Sequence, residues 1–151
     1  MHCSAIRSLR LVPVVVALAV AVSACGGSSS STSLGVTSPS ATAVTDTFSG
    51  TITQNGTAIH AFTVKTSGYN LLAGYTSLAP ATVTALGVGI GAWDGSTSTC
   101  GLNISQNDAA RSGSTAVSGT ASAGNYCIRV YDGGNVPAGV TATYTVQVQH
   151  Y

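Results

Sequence analysis

The run Thr143-Tyr144-Thr145-Val146-Gln147-Val148-Gln149 limits what this chain can fold into more than any other stretch. Apolar and polar side chains alternate without a break, the period of a strand with one face buried and one face wet. Tyr144, Val146 and Val148 are expected to face in, and Thr143, Thr145, Gln147 and Gln149 to face out. From about Val44 onward, shorter runs of the same kind are separated by turn residues, and no segment carries a convincing helical period. Phe48, Gly50 and Ile52 share one face of a first strand that ends at Asn55-Gly56, a strong turn dipeptide. His60, Phe62 and Val64 share a face of the second. Ser67-Gly68 leads into Tyr69 to Leu78, which stops at Ala79-Pro80. Val83 to Trp93 places Leu86, Val88 and Ile90 on one face and Gly87, Gly89 and Gly91 on the other, and Asp94-Gly95 ends it.

The later part is less regular. A poorer strand lies around Leu102 to Ser105, followed by the polar stretch Gln106 to Ser114. Thr115 to Thr120 is a short run before a turn at Ala123-Gly124. Tyr126, Ile128 and Val130 then alternate with Cys127, Arg129 and Tyr131, and Asp132-Gly133-Gly134-Asn135 with Pro137 forms a turn or loop. Roughly seven or eight strands result, with connections too short for helical crossovers, so the expectation is one all-β sandwich or barrel with antiparallel pairing.

The first residues carry a different signal. Met1 to Arg10 is short and basic, Leu11 to Val22 is almost purely apolar, and Val22-Ser23-Ala24-Cys25 follows. An apolar run this short does not span a bilayer, which needs about 20 apolar residues. A basic start, a short apolar stretch and a small-residue cleavage site describe a secretory signal peptide, here residues 1–24. The cysteine directly after Ala24 resembles the bacterial lipobox, which implies cleavage before Cys25 and lipid on its sulfur. Several acyl chains, at about 0.8 kcal/mol per buried CH₂, hold a domain at a membrane with no transmembrane helix. Residues 25–43 are rich in Gly, Ser and Thr and read as the lipidated cysteine with a flexible tether; residues 44–151 are the folded domain. The expected location is the bacterial cell envelope, facing outside the cytoplasm. Gly26, where an aspartate would favour inner-membrane retention, points to the outer membrane if the source is Gram-negative.

Beyond the leader, Lys65, Arg111 and Arg129 stand against Asp46, Asp94, Asp108 and Asp132, and three minus four gives a net charge of −1 with histidines neutral. No basic stripe exists, which argues against a nucleic-acid partner. Cys3 leaves with the leader and Cys25 takes lipid, so Cys100 and Cys127 remain as a pair outside the cytoplasm, where a disulfide is expected. Closing that loop stabilises the fold by about 3 to 4 kcal/mol in the chain-entropy model.

Gly124-Asn125-Tyr126-Cys127-Ile128-Arg129-Val130-Tyr131-Asp132 followed by Tyr144-Thr145-Val146-Gln147-Val148 resembles the end of the bacterial pre-peptidase C-terminal domain family. Phe62-Thr63-Val64, Thr76-Ser77-Leu78-Ala79-Pro80 and Val88-Gly89-Ile90-Gly91 extend the resemblance over nearly all of the domain. It implies a compact antiparallel β-sandwich of jelly-roll type without catalytic activity, usually accompanying a secreted protease or other catalytic domain. Some relatives bind collagen, carbohydrate or calcium.

Candidate sites are few. His60 and His150 are the only histidines after the leader, and no G-x-S-x-G elbow is present, which leaves little for a Ser-His-Asp triad. His60 shares parity with Phe62 and Val64 and is expected at a core edge; His150 is expected at the free end of the last strand. Asp94, Asp108 and Asp132 each occur in a turn context, where the carboxylate bonds local backbone, although they would converge if their loops met at one end of a sandwich. Calcium needs six to eight oxygens. Asn107-Asp108 and Asp132 to Asn135 offer some and the resemblance allows the ion, but no D-x-D-x-D-G loop is present, so no metal or other cofactor is assigned. Trp93 with Tyr69, Tyr75 and Tyr131 is a candidate aromatic platform, weighed against core or rim packing. Trp93, Asp94 and Asp132 are the candidate ligand contacts. The expected function is that of a non-catalytic, membrane-anchored module that binds or stabilises a protein or polysaccharide partner. The alternative is a structural or assembly component of the envelope with no soluble ligand.

Overall fold

The computed structural model describes residues 40–151. The expected leader, Cys25 and nearly all of the tether lie outside them. The described chain forms strands β1 (Val44–Ile52), β2 (Thr57–Val64), β3 (Tyr69–Ala79), β4 (Leu86–Asp94), β5 (Thr99–Ala110), β6 (Val117–Ala121), β7 (Gly124–Tyr131) and β8 (Ala142–His150). They make two four-stranded sheets, ordered β1-β8-β3-β6 and β2-β7-β4-β5. Every pairing between these strands is antiparallel. The pairing is nested: β4 bonds β5, β3 bonds β6, β2 bonds β7 and β1 bonds β8. The described chain is therefore an all-β sandwich whose sheets close on one interior.

Alternation supplies that interior. In β8, Ala142, Tyr144, Val146, Val148 and His150 are buried, while Thr143, Gln147 and Gln149 are exposed. Beside them in the same sheet are Leu71, Ala73 and Tyr75 of β3, and facing them are Phe62 and Val64 of β2, Leu86, Val88 and Ile90 of β4, and Ile128 and Val130 of β7. Val146 and Val148 are both 0 % exposed, and each such side chain contributes about 1.5–3 kcal/mol when fully buried.

Two expectations are corrected here. The stretch from Gln106 toward Ser114 is not all loop: β5 runs from Thr99 through Ala110 and is the longest strand described. Its period is hidden because its register against β4 shifts twice, between Leu86 and Val88 and between Ile90 and Ala92. Each shift disturbs the parity of inward and outward residues. β5 is also an edge strand, where polar residues are at home. Asp108 accordingly sits in this strand and not in a turn. His150 is not at a free end either: it pairs with Val44 and continues the inward row of β8.

The glycines of β4 have a specific purpose. A Cβ at Gly87 would meet the Tyr131 ring, one at Gly89 would meet Leu102, and one at Gly91 would fall on the carbonyl oxygen of Gly101. The outer face of β4 is thus roofed by an aromatic ring, a leucine and the backbone of β5. The disulfide between Cys100 and Cys127 depends on this close approach. β5 and β7 flank β4, so in a flat sheet their Cα atoms would lie roughly 9.6 Å apart, twice the strand spacing. The two cysteine Cα atoms are 5.7 Å apart, because the start of β5 curls over Gly91. Cys127 Sγ lies 3.3 Å from the carbonyl oxygens of Gly91 and Ala92.

This packing predicts that Gly91→Ala destabilises the fold by about 1–3 kcal/mol, the usual effect of overpacking. Gly101→Ala, whose added methyl would meet only the Ala92 carbonyl oxygen at 3.8 Å, is expected to stay within roughly 0.5 kcal/mol of the parent. Urea unfolding of the two variants checks the difference; equal effects would contradict the roofing of β4.

Candidate functional site

An open cleft of about 430 Å³ lies on the outer face of the β1-β8-β3-β6 sheet. Its floor is built by register. Gln149 of β8 sits between Thr45 of β1 and Leu72 of β3, and Gln147 sits between Thr47 and Gly74. Its wall is the segment joining β5 to β6. That segment is pinned to β3 by backbone: Gly113 N–H donates to the Tyr75 carbonyl and Ala116 N–H to the Ala73 carbonyl, each at 2.8 Å. Asn107 Nδ2 donates to the Ala116 carbonyl at 3.2 Å from the β5 side. Gly74 permits the approach, since a Cβ there would strike the Ser114 carbonyl oxygen. The lining side chains include hydroxyls (Thr45, Thr76, Ser114, Thr115), two amides (Gln147, Gln149) and Leu72, with no ionisable group except Tyr75. The Tyr75 hydroxyl is turned away into the core, where it donates to the Gly87 carbonyl at 2.9 Å, and burial holds its pKa far above the ordinary value. The cleft therefore offers hydrogen-bond donors and acceptors without charge.

The histidines lie on the opposite side of this sheet, in the seam between the sheets. His60 Nε2 is 2.8 Å from the Tyr144 hydroxyl, and its ring stacks on Phe48 with centroids 4.9 Å apart. Burial lowers the His60 pKa from 6.5 and raises that of Tyr144, so the fold favours the neutral form of both. His150 Nε2 is 2.9 Å from Asp46 Oδ2, and the Phe62 ring lies 5.4 Å from its ring. A carboxylate only accepts, so Nε2 donates. The other nitrogen, Nδ1, is buried with no hydrogen-bond partner. No serine hydroxyl bonds either ring among the described residues; the His150–Asp46 pair has the first two members of a triad and no nucleophile on it.

Of the three remaining aspartates, Asp94 lies apart from Asp108 and Asp132. Asp94 lies at the end of β4 that faces Thr99, whereas Asp132 follows Tyr131, whose partner Gly87 is at the other end of β4. Asp94 Oδ1 accepts from Ser96 N at 2.9 Å and Ser96 Oγ at 2.6 Å and closes the β4–β5 turn. The Ser96 hydroxyl, then that of Thr97, draws its pKa down to about 2. Asp132 Oδ1 accepts from the backbone N–H groups of Gly134, Asn135 and Val136, and Oδ2 accepts from Asn55 N at 2.9 Å. Desolvation works to raise its pKa, but these four donors outweigh it and hold the value below the ordinary 3.8. Asp132 is thus the clamp joining the β7–β8 loop to the β1–β2 turn. Asp108 reaches the same end of the sheet, where it accepts from the Tyr131 hydroxyl and Asn135 Nδ2 donates to its carbonyl at 3.4 Å. Burial first, then the bond to Asp108, pushes the Tyr131 pKa up to about 12.

These contacts bear on the other candidates. Of the oxygens considered for calcium, both carboxylate oxygens of Asp132 accept from backbone N–H groups and one of Asp108 accepts from a phenol. Among the described residues no three His, Cys, Asp or Glu side chains are grouped to hold a metal ion. The aromatic platform is dispersed. Tyr75 is core, Tyr69 stacks on Tyr151, and Tyr131 roofs Gly87 under the Arg129 guanidinium, 5.0 Å above its ring. Trp93 stands alone beside Cys100 at the Asp94 end. Of the cleft residues only Tyr75 stands among the sequence candidates, as part of the aromatic platform, and its hydroxyl is turned into the core. The available signal was the pair of outward amides, Gln147 and Gln149, on the most regular strand. No protein-family model matches the chain, and no curated protein matches it in sequence.

Two pH effects follow. The contribution of His60 is complete above pH 6.5 and is lost as pH falls from there through its lower native value, because the unfolded chain takes up the proton first. The contribution of Asp132 is complete above 3.8 and is lost as pH falls through its lower native value. Urea midpoints measured from about pH 8 to about pH 3 should show both declines. His60→Gln should flatten the first, and Asp132→Ala the second at a cost of about 1–3 kcal/mol near neutrality. Parallel profiles for parent and variants would contradict these assignments.

Proposed function

We propose that this protein is a non-catalytic β-sandwich module of the bacterial cell envelope, anchored by lipid on Cys25, that binds or stabilises a protein or polysaccharide partner outside the cytoplasm. One contrast carries the reading. Both histidines, Asp46 and Asp132 are engaged in contacts that hold the fold, while the cleft over Gly74 presents uncharged hydroxyls and amides to solvent. A surface of that kind recognises shape and hydrogen-bonding pattern and does not drive a reaction. The nested strand pairing supports the jelly-roll form and agrees with the resemblance to the pre-peptidase C-terminal domain family. A paired Cys100 and Cys127 suits an oxidising compartment, in line with the signal peptide and lipobox.

Two measurements test this. Growth with a clickable palmitate should label the parent protein, and Cys25→Ala should abolish the label; persistent labelling would refute the anchor. Immobilised full-length protein should give a saturable response on an array of glycans and envelope proteins. Uniform blanks would favour the structural alternative. Turnover of a hydrolase probe that is lost on changing His60 or His150 would overturn the non-catalytic reading.

A further inference from the structure

We propose that the cleft over Gly74 is a binding site for a neutral saccharide, with Gln147 and Gln149 as its main hydrogen-bonding residues. The inference rests on the binding-module reading and narrows it to one ligand class and one face.

Charge is the first argument. None of the side chains that open into the cleft is ionised, so an anionic or cationic ligand would lose hydration there with no opposite charge to replace it. Hydroxyls and primary amides each donate and accept, which matches the mixed donor and acceptor character of sugar hydroxyls. Gln147 and Gln149 point the same way from one strand, about 7 Å apart along it, and so reach hydroxyls on successive parts of one chain. Leu72 adds an apolar patch for the C–H face of a ring.

Topology is the second. A peptide held by strand addition needs a free strand edge. β8, which carries both glutamines, is interior to its sheet with ladders to β1 and β3 on either side, so its backbone groups are already committed to neighbours. Recognition on this floor has to pass through side chains, which favours a polyhydroxylated ligand over an extended peptide.

Rigidity is the third. The wall is fixed by the backbone bonds of Gly113 and Ala116 to β3, and the floor by ladders on both sides of β8. The site exists before the ligand arrives, which limits the ordering cost of binding.

The test is calorimetric titration of the full-length protein in detergent micelles with uncharged oligosaccharides: α- and β-linked glucose chains and mannose chains. At least one should bind saturably. Gln147→Ala and Gln149→Ala should each weaken it about three- to tenfold, the range for losing an uncharged hydrogen bond. Ser49→Ala, on the same sheet but outside the cleft, should leave affinity unchanged. Both glutamines are exposed, and an unchanged thermal midpoint verifies that the variants fold; Thr115→Ala on the wall is a second cleft variant should either be unstable. Oligosaccharide binding that ignores the glutamine variants overturns the cleft assignment and leaves the module reading intact. Silence with every neutral sugar, alongside capture of an envelope protein or an acidic polysaccharide, overturns the saccharide class alone. Silence with all of them overturns both.

Discussion

The register of β8 is the constraint on which the rest of this structure depends. Its inward row, from Ala142 to His150, fills the middle of one sheet, and its ladders hold β1 on one side and β3 on the other. A slip by one residue would carry Val146 and Val148 to solvent and Gln147 and Gln149 into the core. The apolar penalty of such a slip makes the register strongly specified. The same register gives the outer face its character, because the amides that cannot be inside are obliged to be outside, and there they floor the cleft. Fold and candidate site are thus two faces of one alternation.

The opposite sheet is organised by absence of side chains. β4 carries a glycine at every outward position from Gly87 to Gly91, and each is occupied by something else: Tyr131, Leu102 and the Gly101 backbone. This lets β5 curl over β4 until Cys100 meets Cys127 across it. The disulfide therefore fastens an irregular edge strand, across β4, to the buried Cys127 of β7. The curl and the two register shifts of β5 disturb the long flat edge that would otherwise invite pairing with another chain.

Local signals in the sequence reach the strands whose faces are cleanly divided. β8 and β7 alternate, and Asn55-Gly56, Ser67-Gly68 and Ala79-Pro80 mark real ends, with Asn55 and Gly68 at positive φ. β5 escapes that reading because its bulges scramble parity, and Asp108 is misplaced with it. The candidate contacts Trp93, Asp94 and Asp132 are individually well placed for turns or rims, but only the antiparallel pairing of β4 with β7 reveals that they lie at opposite ends of the sheet. The cleft is hidden for a related reason. Thr45, Leu72 and Gln149 are far apart in the chain and become one row only through register, and the wall depends on Gly74, a residue with no side chain to announce it.

The polar side chains divide into those that hold the molecule together and those left free to meet something else. Asp132 ties two loops, Asp94 closes a turn, His60 bridges to Tyr144 and His150 to Asp46. The hydroxyls and amides that line the cleft are less committed: Gln147 makes one long contact, 3.4 Å to Thr47 Oγ1, and Thr76 another, 3.4 Å to the Thr145 carbonyl oxygen. The central claim, that function resides on this outer face and not in the histidine seam, is tested most directly by NMR of the full-length protein during titration with whichever partner it binds. The side-chain amide signals of Gln147 and Gln149 should shift together while the ring signals of His60 and His150 stay fixed; histidine signals that move while both amides stay still would contradict it.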